Sequence, residues 1–242
     1  VQDHVALEAA SQFWAASLGV DEEQLEVDQT LVVPNPSSLP VRAVIILQRR
    51  QSCVLSILHP EPSKVIDSVM EVGRSVSPSE LLKAGAWTSL AASCTPPATV
   101  FISAADRVPP LPSKGARALS GSEDHLRLGR MMDRAQMEEW DRGGVDAKSD
   151  FLAGIFDSED LVAAGSMDRA SDRLVQVRIF VAASHRRRGL GSSLLSFLAS
   201  RAASTFHALQ MTVVQGDQAG EGLALSLGFF PFGLTSTVIL RN

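Results

Sequence analysis

The densest chemistry in the sequence lies in His185-Arg186-Arg187-Arg188-Gly189-Leu190-Gly191, a basic run interrupted by two glycines. Residue patterning puts it between a strand, Leu174 to Val181, and a helix, Gly191 to Ala203, with Leu194, Leu195, Leu198 and Ala202 on one face. A strand that runs into a basic, glycine-containing loop and opens a helix can bind phosphate. Glycine lets backbone N–H groups approach an anion with no Cβ in the way, and a helix N-terminus adds partial positive charge. Arginines contribute charge-assisted hydrogen bonds. Three other readings fail on particular residues. A dinucleotide fingerprint needs a third glycine where Leu194 stands, and a nucleoside-triphosphate loop needs a lysine that Gly191-Ser192-Ser193 lacks. Three arginines are too short a run to bind nucleic acid unaided.

Arg186, Gly189 and Gly191 match the pattern Arg/Gln-x-x-Gly-x-Gly/Ala. In this the loop resembles the coenzyme A loop of the GNAT superfamily of acyl-CoA-dependent N-acetyltransferases. The lead-in Val181-Ala182-Ala183-Ser184 resembles that family's Val-x-Pro-x, and Ala224 to Phe229 resembles its helix ending in Gly-Phe. The order strand, loop, helix, strand, helix, Gly-Phe, strand is reproduced, and the resemblance covers about Arg117 to Asn242. It implies a GNAT-like fold of the α/β (α+β) class: a mixed, mostly antiparallel sheet flanked by helices. It implies acetyl-CoA as cosubstrate, its pyrophosphate on the amides of Arg187, Arg188, Gly189, Leu190, Gly191 and Ser192, with Arg186 beside them. Pantetheine would follow a splayed strand edge at Ile179, Phe180 and Val181, and the Val181 backbone would polarise the thioester carbonyl. The acetyl group would pass directly to a primary amine of a small molecule or peptide in a ternary complex. More loosely, Phe13-Trp14 near Leu18-Gly19, together with Glu138-Glu139-Trp140, resembles a bacterial subgroup with an extra N-terminal α/β part.

The sequence departs from the family at catalytic positions. Where many members carry a tyrosine acid for the leaving thiolate, this chain has Ala224, and it contains no tyrosine. A thiol of pKa about 8.5 leaves without a strong acid, so Ser226 or water is the expected donor. Leu174 to Val181 holds no carboxylate, only the polar Gln176 and Arg178, so Glu139, or else Glu138 or Asp168, is the candidate base, acting through water. Asp217 stands where the family often has an asparagine that contacts the cofactor. The missing tyrosine sustains an alternative, a non-catalytic acyl-CoA-binding or regulatory module, and turnover separates the two.

Elements must hold these residues in place. Leu126, Leu128, Met131, Met132 and Met137 mark the buried side of a helix over Glu123 to Arg142, ended by Gly143-Gly144. Phe151 to Phe156 and Leu161 to Met167 predict a hairpin across the acidic turn Asp157 to Asp160. Ala208 to Val214 predicts a strand, Gly220 to Leu227 a short helix and Leu234 to Leu240 a closing strand. Pro109, Pro110 and Pro112, lacking N–H donors and with fixed φ, suit an extended connector. They place a linker at 106–116 between an N-terminal α/β domain, 1–105, facing a partner or the substrate, and the GNAT-like acetyl-CoA-binding domain, 117–242. In the N-terminal part, Val5, Ala6, Ala9, Ala10, Phe13 and Trp14 recur at helical spacing up to Gly19. Val41 to Leu47 and Cys53 to Leu58 predict a hairpin across Gln48 to Gln51. Pro60 and Pro62 precede a helix from Ser63 to Arg74, Pro78 opens another, and Thr99 to Ser103 predicts a strand.

Composition narrows the class. With 242 residues, 45% of them hydrophobic, the chain can bury a core in one large or two small domains. A net charge of −5 and 5% aromatic residues argue against a nucleic-acid surface. No apolar run approaches the roughly 20 residues of a membrane span, and the start, with Asp3, His4 and Glu8, lacks a secretory pattern, so a cytoplasmic protein is expected. Cys53 and Cys94 have no metal-like or redox-like spacing, which predicts two reduced, buried thiols and no metal. The expected partners are acetyl-CoA and an amine acceptor, with no nucleic acid and no membrane; a homodimer is an assembly this reading admits.

Overall fold

A computed structural model describes residues 2–35, 42–58 and 63–241; Val41, Pro60, Pro62 and Asn242 lie outside the described residues. In chain order the elements are α1 (Gln2–Leu18), β1 (Thr30–Asn35), β2 (Ala43–Arg49), β3 (Ser52–Leu58), α2 (Ser63–Ser75), α3 (Pro78–Leu81), β4 (Ala91–Cys94), β5 (Ala98–Ala104), β6 (Arg117–Ala118), α4 (Gly121–Arg134), α5 (Met137–Gly143), β7 (Phe151–Asp157), β8 (Asp160–Arg169), β9 (Leu174–Val181), α6 (Leu190–Ala202), β10 (Ala208–Val214), α7 (Gln218–Ser226) and β11 (Phe230–Leu240). The chain forms two compact units. One comprises Val1–Ala9, Phe101–Val213 and Asp217–Phe230; the other comprises Ala10–Val100, Val214–Gly216 and Pro231–Asn242.

In the first unit, strands run in the order β10-β9-β8-β7-β6. All neighbours are antiparallel except β9 and β10, which are parallel. Side-chain alternation along β9 separates two apolar layers. Val175 and Val177 pack with Leu194, Leu195 and Leu198 of α6 and with Leu209 and Phe229. Phe180, pointing the other way, packs with Leu128 and Met131 of α4 and Trp140 of α5. Each large side chain so buried contributes about 1.5–3 kcal/mol.

The single helix expected over Glu123 to Arg142 is two helices. Ala135 is extended (φ −78°, ψ 152°), and its N–H closes α4 on the carbonyls of Met131 and Met132. In one unbroken helix Met131 and Trp140, nine residues apart, would point in opposite directions at about 100° per residue. Burying both against the same sheet requires the break. The expected buried face is corrected with it: Leu126, Met132 and Met137 are exposed at 62%, 48% and 80%.

In the second unit the order is β1-β3-β2-β11, with β4 also on β11. β2 and β3 form the expected hairpin, tightened to a turn at Arg50-Gln51 with Arg50 at φ 51°. β1, which pairs parallel to β3, and β4 had no counterpart in the sequence reading. Ile46, Leu55, Ile57, Val69 and Leu81 surround Trp87, whose Nε1–H donates to the Leu81 carbonyl at 2.7 Å. The class is therefore mixed α/β, with a mostly antiparallel sheet, helices against it, and an N-terminal part that is itself α/β. No helix among the described residues is long and apolar enough to cross a membrane.

Candidate functional site

β9 and β10 begin as partners and part. Their register holds Leu174, Val175 and Gln176 against Ala208, Leu209 and Gln210, and no pair follows it although both strands continue. Gln210 Nε2–H donates to Gln176 Oε1 at 2.8 Å at the last pair. On its other side β9 stays bonded to β8 without a register shift up to Val181. The Ala182 N–H donates to Val162, next to the last β8 partner. Since backbone groups alternate along a strand, Phe180 turns its N–H and C=O to β8, while Ile179 and Val181 turn theirs toward the side that β10 has vacated.

The basic loop closes the end of this gap. A short 3₁₀ turn, Ala183–His185, leads into Arg186 and then Arg187 at φ 61°. Gly189, at φ 72°, is the N-cap of α6. The left-handed conformation suits Gly189, whereas at Arg187 it is backbone strain held by the loop. The first-turn N–H groups of α6, from Leu190, Gly191 and Ser192, have no carbonyl partner within the helix. A Cβ on Gly191 would sit 3.4 Å from Leu223 and 3.7 Å from Val181, on the wall of the gap. Arg186 is committed. Its Nε–H donates to the Val181 carbonyl at 3.1 Å, and its two Nη groups donate to the two carboxylate oxygens of Glu139 at 3.1 and 2.8 Å. Arg188 is not on the gap's lining, and its carbonyl accepts a hydrogen bond from Lys114 Nζ. Lys114, itself at φ 46°, is a cation of this loop that sequence reading missed because it lies in the proline-rich stretch.

Together these elements enclose a cleft of about 850 Å³, within the usual range for small-molecule sites. Its lining brings together Glu139, Ile179, Phe180, Val181, Arg186, Arg187, Gly189, Leu190, Gly191, Ser192, Asp217 and Ser226 from the expected set, and adds Arg142 and Gly143 of α5 and Arg178 of β9. Hydrogen bonds from Arg186 hold the Glu139 carboxyl below its ordinary range, so it stays ionised with both oxygens engaged. Asp217 caps α7, accepting from the Gly220 N–H at 3.1 Å. Ser226 donates back to the Leu223 carbonyl at 2.9 Å, and Ala224 is fully buried in the core. Asp168 pairs with Arg178, and Glu138 is exposed on α5. Among the described residues no three His, Cys, Asp or Glu side chains cluster to hold a metal.

Residues 122–229 match the model of the acetyltransferase (GNAT) family. An acetyltransferase from the GNAT family of Colwellia psychrerythraea superposes with a TM-score of 0.51 at 16% identity over 77% of each chain. A GNAT-family structure from Novosphingobium aromaticivorans gives 0.50 at 19% identity, over 63% of this chain and 66% of that one, just under two thirds of its length. At such identities the likeness is one of fold. No curated protein matches the chain.

Proposed function

With a GNAT acetyltransferase domain over residues 122–229 as premise, we propose that the protein transfers an acetyl group from acetyl-CoA to a primary amine of a small molecule or peptide, directly, in a ternary complex. One observation carries the proposal. The parting of β9 from β10 leaves the N–H and C=O of Ile179 and the N–H of Val181 on the side of a cleft that ends at a basic helix N-terminus, the Val181 carbonyl being taken by Arg186.

The residues present fit a pantetheine diphosphate. The α6 amides of Leu190, Gly191 and Ser192, with Arg186 and Arg187, would hold the phosphates. The Ile179 and Val181 backbone would bond the pantetheine amides, and the Val181 N–H side of the strand would polarise a carbonyl. When bound, acetyl-CoA supplies an activated acyl group on a thiol leaving group. Glu139, with both oxygens on Arg186, competes with the phosphates for that guanidinium rather than serving as the base, and the ammonium proton of the acceptor leaves to water. Ser226 lines the cleft as the hydroxyl available to the departing sulfur once its bond to Leu223 opens.

The experiment is steady-state release of CoA thiol across an amine panel, beside calorimetric titration with CoA. Sustained release supports transfer. A second reading, a non-catalytic acyl-CoA-binding module, draws on the commitment of Glu139, Asp217 and Ser226 to internal bonds. Saturable binding with no release over the whole panel would decide for it.

A further inference from the structure

The lining carries four arginines and two carboxylates; Glu139 has both oxygens on Arg186, and Asp217 caps α7 with one oxygen on the Gly220 N–H. Arginines therefore outnumber carboxylates on the cleft's lining, which favours an acceptor that carries negative charge over one with a second positive charge. Arg186 and Arg187 belong to the loop ahead of α6. Arg142 and Arg178 belong to a separate place: Arg178 alternates with Phe180 on the face of β9 that meets α5, and Arg142 closes α5 beside Gly143.

Arg178 is held there by a built support. Its Nη1 pairs with Asp168 Oδ2, which also accepts the Ser149 hydroxyl at 3.0 Å, while Asp168 Oδ1 accepts the Asp150 N–H at 3.3 Å. Its aliphatic stem lies on Gly144, where a Cβ would come within 2.9 Å of Cδ, at a left-handed φ of 65° that itself favours glycine. Asp168 takes one guanidinium nitrogen of Arg178, and the cleft lining that includes Arg178 also includes Arg142, whose Nε–H donates to the Glu138 carbonyl at 3.1 Å and which has no ion-pair partner among the described residues. A planar donor fork held by a buttressed carboxylate suits a second, incoming carboxylate.

Resting on the transfer reading above, we infer that the acceptor is an amine that carries a carboxylate, as an amino acid does, and that Arg178 and Arg142 bind this carboxylate and so orient the amine toward Val181. Asp168 is a positioning residue that acts through Arg178.

The test titrates the full chain, with CoA present, with α-amino acids and with the amines left by their decarboxylation, by calorimetry. Phosphoethanolamine against ethanolamine separates a phosphate from a carboxylate requirement. Carboxylated amines should bind about tenfold or more tightly than their decarboxylated partners. Arg178→Gln should erase that difference while CoA affinity and melting temperature hold, and Asp168→Asn should weaken it in the same direction. In the thiol-release assay both substitutions should raise KM for the acid with a smaller change in kcat. Equal binding of acid and decarboxylated amine, retention of the preference in Arg178→Gln, or a preference for phosphoethanolamine over every carboxylate would overturn the inference. The two readings fail separately. Selective binding without thiol release defeats transfer and leaves the carboxylate site, and thiol release without carboxylate preference does the reverse.

Discussion

Arg186 meets Glu139 with both Nη groups and the Val181 carbonyl with Nε. A phosphate that recruits this arginine must compete with a carboxylate 24% exposed to water, in a pair worth about 0–1 kcal/mol at such a surface. The diphosphate, doubly charged and also served by the α6 amides, should win. Glu139→Gln is therefore expected to tighten CoA binding up to about fivefold, read by calorimetry, with kcat nearly unchanged. A general base in that position would instead show a kcat loss of about 10²–10⁴-fold. Gly191 supplies a second prediction. A Cβ there is in ordinary contact with Leu223, so the fold should accept Gly191→Val, but the branched side chain stands where phosphate must approach. CoA affinity should fall about tenfold or more with little change in melting temperature; unchanged affinity would count against the loop. Arg186, Gly189 and Gly191 were legible in sequence because a loop motif is local. The Arg186–Glu139 pair, 47 residues apart, and the reach of Lys114 to Arg188, 74 apart, depend on the fold.

In the first turn of α4, Asp124 has a carboxylate that accepts from Arg117 at 2.7 and 2.8 Å and from the N–H of the N-cap Ser120 at 2.8 Å while its side chain is 7% exposed. Those bonds, the Arg117 contribution largest, hold its carboxyl well below the usual carboxylate range of about 3.8. A carboxyl lowered by folding stabilises the protein above its unfolded pKa and loses that contribution as pH falls through its folded value. Asp124→Asn should cost about 1–3 kcal/mol at pH 7, and its melting-temperature deficit should shrink on titration below about pH 4. A deficit that stayed constant into acid would show the ion pair to be immaterial. At this scale the sequence was readable wherever periodicity is strong, as in β10, whose expected bounds of Ala208 and Val214 are those observed. It was unreadable where pairing partners decide. β1 owes its strand to a parallel partner, β3, some 23 residues on, and β4 has four residues, none buried, so neither shows an alternating signal. The α4–α5 break was in principle visible, since Met131 and Trp140 cannot share one face of a single helix.

For the whole molecule, the proline-rich segment sets two expectations against each other. Three prolines suggest a spacer after which residues 117–242 fold by themselves, yet the residues just before Arg117 pack as part of the loop-bearing unit. Phe101, Ala105 and Val108 are 4%, 4% and 7% exposed in the same core as Leu194 and Leu198. The Pro109 and Pro112 carbonyls accept from the hydroxyls of Ser196 and Ser193 at 2.7 Å each, and the Leu111 N–H donates to Ser196 at 2.9 Å. Proline removes N–H donors but leaves carbonyls, and α6 uses them. Losing Phe101 and Val108 alone forfeits about 3–6 kcal/mol of burial, and each abandoned serine hydroxyl about 1 kcal/mol more, against a typical total of 5–15 kcal/mol. A chain of residues 101–230 should therefore unfold in one cooperative denaturant transition, whereas residues 117–230 should show a midpoint lowered by most of that stability, or no transition at all. The ion pairs Asp3–Arg107 and Glu8–Arg173 that 101–230 gives up are partly solvated, and the buried side chains lost with them, Ala6 and Ala9, are small. Equal midpoints for the two chains would mean that the segment is a tether after all, and that the hydroxyls of α6 hold it without being held by it.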